Sequence, residues 1–141
     1  MRLILIMIAW LGYTVQAGAG LSGCDDLSAI PILEQVDFES EVQPIFDNHC
    51  TQCHGGPDPI AFMDLSQGTV QIVDVPSFQF SALNRVEPGD PSLSYLFYKI
   101  NCANQLSGDR MPRDAPPLNL FDQALIRDWI VQLLIFKGGF E

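Results

Sequence analysis

The sequence predicts a single, mostly α-helical domain with long loops, because its helical patterns are strong and its strand patterns are weak. Apolar residues recur at helical spacing in three stretches, 36–50, 89–100 and 119–137. Residues 65–77 hold valines and an isoleucine that suit either a strand or a short helix, and we favour the helix. The connecting stretches are rich in Gly and Pro, which is typical of loops. At 141 residues, the chain is long enough for one small domain.

Each predicted helix has a plausible capping residue at its start. Ser40 with Gln43 three residues later forms a capping-box pattern. Asp90 precedes Pro91, which suits the first position of a helix. Asn119 precedes the last helix, which ends before two glycines. The apolar face of that helix consists of Leu125, Ile126, Trp129, Ile130 and Leu133.

Residues 1–23 have the features of a bacterial export signal. A single basic residue, Arg2, precedes the apolar run "LILIMIAWLGYTV", and small residues follow. A retained membrane helix is the alternative, since the apolar stretch is barely long enough to span a bilayer.

The sequence "LSGC" at Leu21–Cys24 resembles a bacterial lipobox. The resemblance implies that Cys24 receives diacylglycerol and becomes the mature N-terminus, so that a lipid anchor holds the protein to a membrane. Ordinary cleavage near Ala17 or Ala19 would instead leave Cys24 as a thiol, and a disulfide with Cys102 would then be plausible.

These features divide the chain into three parts. Residues 1–23 are expected to be a signal peptide of the lipoprotein type, 24–37 a tether, and 38–141 the folded domain. The formal net charge is −10 and no basic run is present, which argues against nucleic-acid binding. An acidic surface would steer the protein toward partners with basic docking surfaces.

The stretch "CTQCH", Cys50 to His54, matches the attachment motif of c-type haem. Two thiols one turn apart can reach two adjacent vinyl groups, and the next residue can present its imidazole to the iron. Zinc would normally need a second pair of ligands, but the other cysteines, Cys24 and Cys102, are single and far apart in the sequence. A thioredoxin-like pair would lie in a βαβ unit, which the pattern lacks. A disulfide between Cys50 and Cys53 would not need His54.

The region from about Phe38 to Gly138 resembles small monohaem c-type cytochromes. The matching stretches are "FESEVQPIFDNHCTQCHGG", "VEPGDPSLSYLFYKI" and "RMPRDAPPLNLFDQALIRDWI". The resemblance implies a cytochrome c-like fold, in which the N- and C-terminal helices cross around one covalently bound haem. It also implies that a Met-Pro step, here Met111, supplies the axial sulfur opposite His54.

Three residues are candidates for the second axial ligand. His49 lies beside Cys50 on the helix and cannot easily reach the opposite haem face. Met63 would require a tight loop, whereas Met111 lies on a long loop stiffened by a proline, and we favour Met111. Arg110 and Arg113 flank it and suit either haem propionates or a solvated surface. In similar cytochromes a proline carbonyl accepts the proximal His N–H, a role for which Pro59 is the candidate.

Histidine and methionine together leave no vacant position on the iron, so the resemblance implies electron transfer and not catalysis. The predicted protein is an exported monohaem cytochrome c on the periplasmic side of a bacterial membrane. It would act as a carrier or as a subunit of a redox complex, with redox proteins as partners and no small-molecule substrate. The alternatives are a haem enzyme or gas sensor with a displaceable Met ligand, and a lipoprotein whose haem only staples the fold.

Overall fold

The computed structural model describes residues 23–137, with side chains up to residue 134. All regular elements in this range are helical, and the four β-bridges it contains are isolated ones. A π-helix at Phe38–Val42 runs directly into α1 at Gln43–His49, and α2 and α3 span Tyr95–Asn101 and Leu120–Lys137. Two short 3₁₀ turns lie at Ile60–Phe62 and Pro91–Leu93. The predicted mostly helical class with long loops is confirmed at this level.

The N-cap of the first helix is Asp37, three residues before the predicted Ser40. The carboxylate of Asp37 accepts a hydrogen bond from the Ser40 amide at 2.9 Å, and the Glu41 carboxylate accepts one from the Asp37 amide at 2.7 Å. These reciprocal bonds resemble a capping box with Asp37 as the N-cap, except that the returning carboxylate belongs to the fourth residue after the cap. The Gln43 side chain instead donates to the Leu65 carbonyl at 2.8 Å, so it ties the helix to the loop beyond the Cys-X-X-Cys-His motif.

The other two predicted caps are confirmed. The Asp90 carboxylate accepts a hydrogen bond from the Ser92 amide at 2.8 Å, although it caps a 3₁₀ turn and α2 begins only afterwards. The Asn119 side chain accepts one from the Asp122 amide at 2.9 Å, at the start of α3. Asn119 therefore caps the predicted helix, whereas α2 begins at Tyr95, four residues after its predicted start at Pro91.

The helix predicted within 65–77 is wrong, since this segment consists of turns and two isolated bridges. Val73 bridges to Val86, and Pro76 bridges to Asn84. The Val86 amide donates to the carbonyl of Ile72 at 3.0 Å, and Ile72 is fully buried. A partner segment distant in sequence satisfies the backbone here, which local periodicity does not reveal.

The first and last helices contact each other through aromatic side chains. The ring of Phe38 lies 5.0 Å from that of Trp129 and 6.0 Å from that of Phe46, centroid to centroid. The predicted apolar face of α3 is buried in this core, except that Leu133 is only partly buried. This contact holds the π-helix against α3, and α1 continues from the π-helix to the Cys-X-X-Cys-His motif.

The segment predicted as a tether lies against the domain. Within residues 24–36, here called the N-terminal strap, Leu27 is buried. The amide of Leu33 donates to the Asp128 carboxylate at 2.9 Å, and that of Val36 donates to the Gln132 side chain at 2.8 Å. These bonds hold the strap along α3, so most of the segment predicted as a tether packs against the domain in this structure.

A disulfide between Cys24 and Cys102 joins the strap to the end of α2. Asp25, next to Cys24, forms an ion pair with Arg110, and its amide donates to the Asn101 carbonyl at 2.9 Å. Cys24 is paired with Cys102 in this structure, and a sulfur in a disulfide cannot also carry diacylglycerol, so the two fates of Cys24 exclude each other. The structure thus corresponds to the disulfide alternative for Cys24.

Within residues 23–137, no helix is long and apolar enough to cross a membrane. The predicted signal peptide at 1–23 lies almost wholly outside the described residues.

Candidate cofactor cavity

A cavity of about 340 Å³ brings the predicted site residues together. Cys50, Cys53, His54 and Met111 all line it, and Met63 does so as well. Its volume is in the range of ordinary ligand pockets, about 300–1,000 Å³. Apolar side chains from all three α-helices and from two loops also contribute to its wall: Phe46, Leu65, Leu96, Ile100, Leu118 and Ile126.

The two motif cysteines lie where α1 ends. The Cys50 amide still donates to the carbonyl of Phe46 at 2.8 Å, and the amides of Cys53 and His54 donate to the Cys50 carbonyl at 3.1 and 2.8 Å. These turns direct the chain so that all three motif residues reach one cavity. Both thiols are free, and Cys53 is the more exposed. Burial, and then the neighbouring Cys53, raises the pKa of Cys50 to about 12, so its sulfur is protonated at neutral pH.

A hydrogen bond at one ring nitrogen, Nδ1, holds the imidazole of His54. Nδ1 lies 2.9 Å from the carbonyl oxygen of Ile60. Because a carbonyl oxygen only accepts, Nδ1 carries the proton and Nε2 keeps its lone pair for a metal. The pKa of His54 is lowered overall. Burial is the main cause and the charge of Arg85 adds to it, whereas the hydrogen bond to Ile60 acts in the opposite direction. The acceptor is therefore Ile60, one residue beyond the Pro59 that the sequence indicated.

Both thioether candidates line the same cavity. The amide of Met111 donates to the carbonyl of Lys99 at 2.8 Å, and Met111 is half-buried beside Pro112. Met63 follows the 3₁₀ turn that carries the His54 acceptor and is also half-buried. His49 also lines the cavity, but it is exposed to solvent. Position alone thus leaves two sulfur ligands to test.

Two cations in the cavity wall were not predicted from the sequence. Arg85 donates to the carbonyls of Gln71, Ala61 and Phe62 at 2.7, 3.2 and 3.0 Å. Lys99 is only 6% exposed although it lies on α2. Burial lowers the pKa of both groups. A single cation within an apolar periodic segment was the only sequence signal, and it is equally typical of a surface residue.

The two arginines that flank Met111 have different surroundings. Arg110 pairs with Asp25, and its Nε donates to the Ile100 carbonyl at 2.9 Å, so it connects the strap to α2. Arg113 lies at the cavity rim, where its exposed guanidinium is 3.3 Å from the carboxylate of Asp109. Neither arrangement distinguishes these residues as ligand-binding groups.

Among the described residues, no three of the His, Cys, Asp and Glu side chains form a group that could hold a metal ion by themselves. His54 contributes one nitrogen to the cavity, and two thiols and two thioethers line it as well. The cavity thus offers two thiols, the His54 imidazole, two thioether sulfurs and an apolar wall.

Comparisons with known proteins yield no relative for this chain. No family model matches it. No curated protein and no solved structure matches it either. What the cavity does must therefore be argued from its own residues, and the resemblance to c-type cytochromes stays a prediction from the sequence motifs.

Proposed function

We propose that the chain is a monohaem c-type cytochrome that transfers electrons. The observation that supports this most directly is the convergence of Cys50, Cys53 and His54 on one largely apolar cavity that also contains Met111. The motif alone could belong to a surface loop. Its placement in a cavity beside a thioether is what a covalently held, axially ligated haem requires.

The residues of the cavity fit such a cofactor. Cys50 and Cys53 would form the two thioether bonds, and His54 would ligate the iron through Nε2, since its Nδ1 proton is engaged by Ile60. Met111 would supply the opposite ligand. When bound, the iron would supply a one-electron couple, and a methionine sulfur raises its reduction potential.

The chain's own groups would control that couple. Phe46 and Leu65 are buried and line the cavity, where they would exclude water from a bound haem. Arg85 and Lys99 place positive charge in the wall, which suits the two carboxylates of a haem. Buried cations also disfavour the extra positive charge of the oxidised iron, so they favour a high potential.

The proposed location is the periplasmic side of a bacterial membrane. A covalent haem and a Cys24–Cys102 disulfide both suit an oxidising compartment outside the cytoplasm. With a formal net charge of −10, the protein would dock on redox partners that carry basic surfaces, as a carrier or as a subunit of a complex. A protein with both axial positions filled would have no enzymatic role of its own.

Optical and redox titration of the exported, haem-loaded protein tests the cofactor and the ligand set. We expect covalent low-spin haem with the sulfur-to-iron charge-transfer band at the red end of the spectrum. Replacing both Cys50 and Cys53 by Ala should abolish covalent attachment.

The matched pair Met111→Leu and Met63→Leu identifies the sulfur ligand. We expect the charge-transfer band to disappear in Met111→Leu and to persist in Met63→Leu. The reverse result would transfer the ligand to Met63, and a high-spin wild-type spectrum with rapid carbon monoxide binding would contradict the electron-transfer proposal.

A further inference from the structure

Lys99 is buried in an environment made mostly of backbone oxygens. Its ammonium donates to the carbonyl oxygen of Ser107 at 2.9 Å and to that of Asp109. It lies 6.0 Å from the centroid of the Tyr95 ring. Buried lysines are rare, and one whose hydrogen bonds go to carbonyl oxygens needs a structural reason for its charge.

Both carbonyls belong to the loop that leads into Met111. The main chain of Lys99 also contacts this loop, because its carbonyl oxygen accepts a hydrogen bond from the Met111 amide at 2.8 Å. One residue on α2 therefore holds the loop on either side of Arg110, twice through its side chain and once through its main chain.

The loop is shaped around the ammonium. Gly108, between the two accepting carbonyls, has a φ of +65°, a conformation that other residues rarely adopt. A Cβ built on Gly108 would lie 3.7 Å from the Lys99 nitrogen. This turn lets both neighbouring carbonyls point toward one cation. Without that cation both would lose a charged donor, although the Ser107 oxygen also accepts a longer hydrogen bond, at 3.4 Å, from the Tyr95 hydroxyl.

We propose that Lys99 is a positioning residue that holds the Met111 sulfur at the iron by clamping the 107–111 loop with its charge. This rests on the proposed function, in which Met111 is the axial ligand. Hydrogen bonds from an ammonium are about twice as strong as neutral ones. The clamp therefore opposes the loop opening that any exogenous ligand needs in order to reach the iron.

Imidazole binding to the ferric, haem-loaded full-length protein measures this opening. Lys99→Met keeps the length of the side chain and removes the charge. We expect it to bind imidazole roughly 10- to 100-fold more tightly than the wild type, the range that corresponds to losing hydrogen bonds from a charged donor. Amide exchange at Met111 should also become faster, whereas Lys99→Arg should restore part of the protection.

Arg113→Gln is the matched control, because it removes one positive charge from an exposed residue of the same loop. Its imidazole affinity should stay within about twofold of the wild type. Equal affinities in Lys99→Met and Arg113→Gln would overturn the clamp. If Lys99→Met does not load haem, Gly108→Ala replaces it, because a Cβ at that φ strains the turn while Lys99 remains. An unchanged imidazole affinity in Gly108→Ala would then overturn the proposal.

The outcomes separate the clamp from the proposed function. A wild-type protein without the charge-transfer band, or with a band that survives in Met111→Leu, shows that Met111 is not the ligand. A normal wild-type band with no effect of Lys99 shows that the ligand is correct and the clamp is not.

Discussion

The disulfide between Cys24 and Cys102 gives the most decisive prediction, because it excludes a lipid on the same sulfur. Removing it by Cys102→Ala should lower the free energy of unfolding. The two cysteines are separated by 78 residues. Closing a loop of that length restricts the unfolded chain enough to contribute about 4 kcal/mol in the chain-entropy model.

The structure indicates which region of the protein this loss of stability would affect first. The disulfide holds the strap beside the Asp25–Arg110 ion pair, and Arg110 directly precedes Met111. If the strap unfolds together with the domain, the full contribution of about 4 kcal/mol is lost. If the strap detaches first, the loss is smaller and the exchange of its amides identifies the local opening.

Urea unfolding of the haem-loaded protein with Cys24→Ala, Cys102→Ala and the double variant measures the effect. A disulfide predicts equal losses in both single variants and no further loss in the double variant. Intact mass under non-reducing conditions should be two hydrogens below that of the fully reduced chain. A diacylglycerol adduct on Cys24 with an alkylatable thiol at Cys102 would refute the disulfide and support the lipobox prediction.

Two further predictions concern the strap and α3. The hydrogen bond from Arg110, together with that from Gln123, lowers the pKa of Asp25 against the opposing effect of burial. Its stabilisation is therefore complete above the unfolded-state pKa and is lost as pH falls through the lower folded value. Asp25→Asn should reduce the loss of unfolding free energy on the acid side of the stability–pH profile. The control is Asp58→Asn at an exposed position, which should keep the wild-type profile. Asn119→Ala should cost about 1 kcal/mol in urea unfolding through loss of the α3 cap, and an unchanged midpoint would contradict that assignment.

Much of the helical framework could be predicted because its causes are local. Asp90 and Asn119 precede apolar periodic runs, and their side chains cap helical turns as expected. The apolar face of α3 follows from spacing alone. The cap of the first helix was placed at Ser40 because Ser40 with Gln43 fits the capping-box spacing, whereas the Asp37 cap is reciprocated by Glu41, four residues on. Only the fold shows that Gln43 is engaged by Leu65.

The same distinction between local causes and contacts that depend on the fold applies to the candidate site. The placement of Cys50, Cys53 and His54 at one cavity was predictable because they lie within one turn of chain, whereas Met111 was indicated by its long, proline-stiffened loop and by the resemblance. The carbonyl of Ile60 has no sequence signature, since every residue has one. Its role follows from the loop that returns it to 2.9 Å from His54 Nδ1.

Lys99 illustrates the limit most clearly, because its sequence context and its environment conflict. It lies three and four residues from Leu96 and Tyr95, on the buried face of α2, where a charged residue is costly. That cost is offset by carbonyls of the Ser107–Asp109 turn, which are invisible in the sequence. A charge retained on a buried helix face therefore indicates a loop that needs it, and here that loop carries the predicted iron ligand.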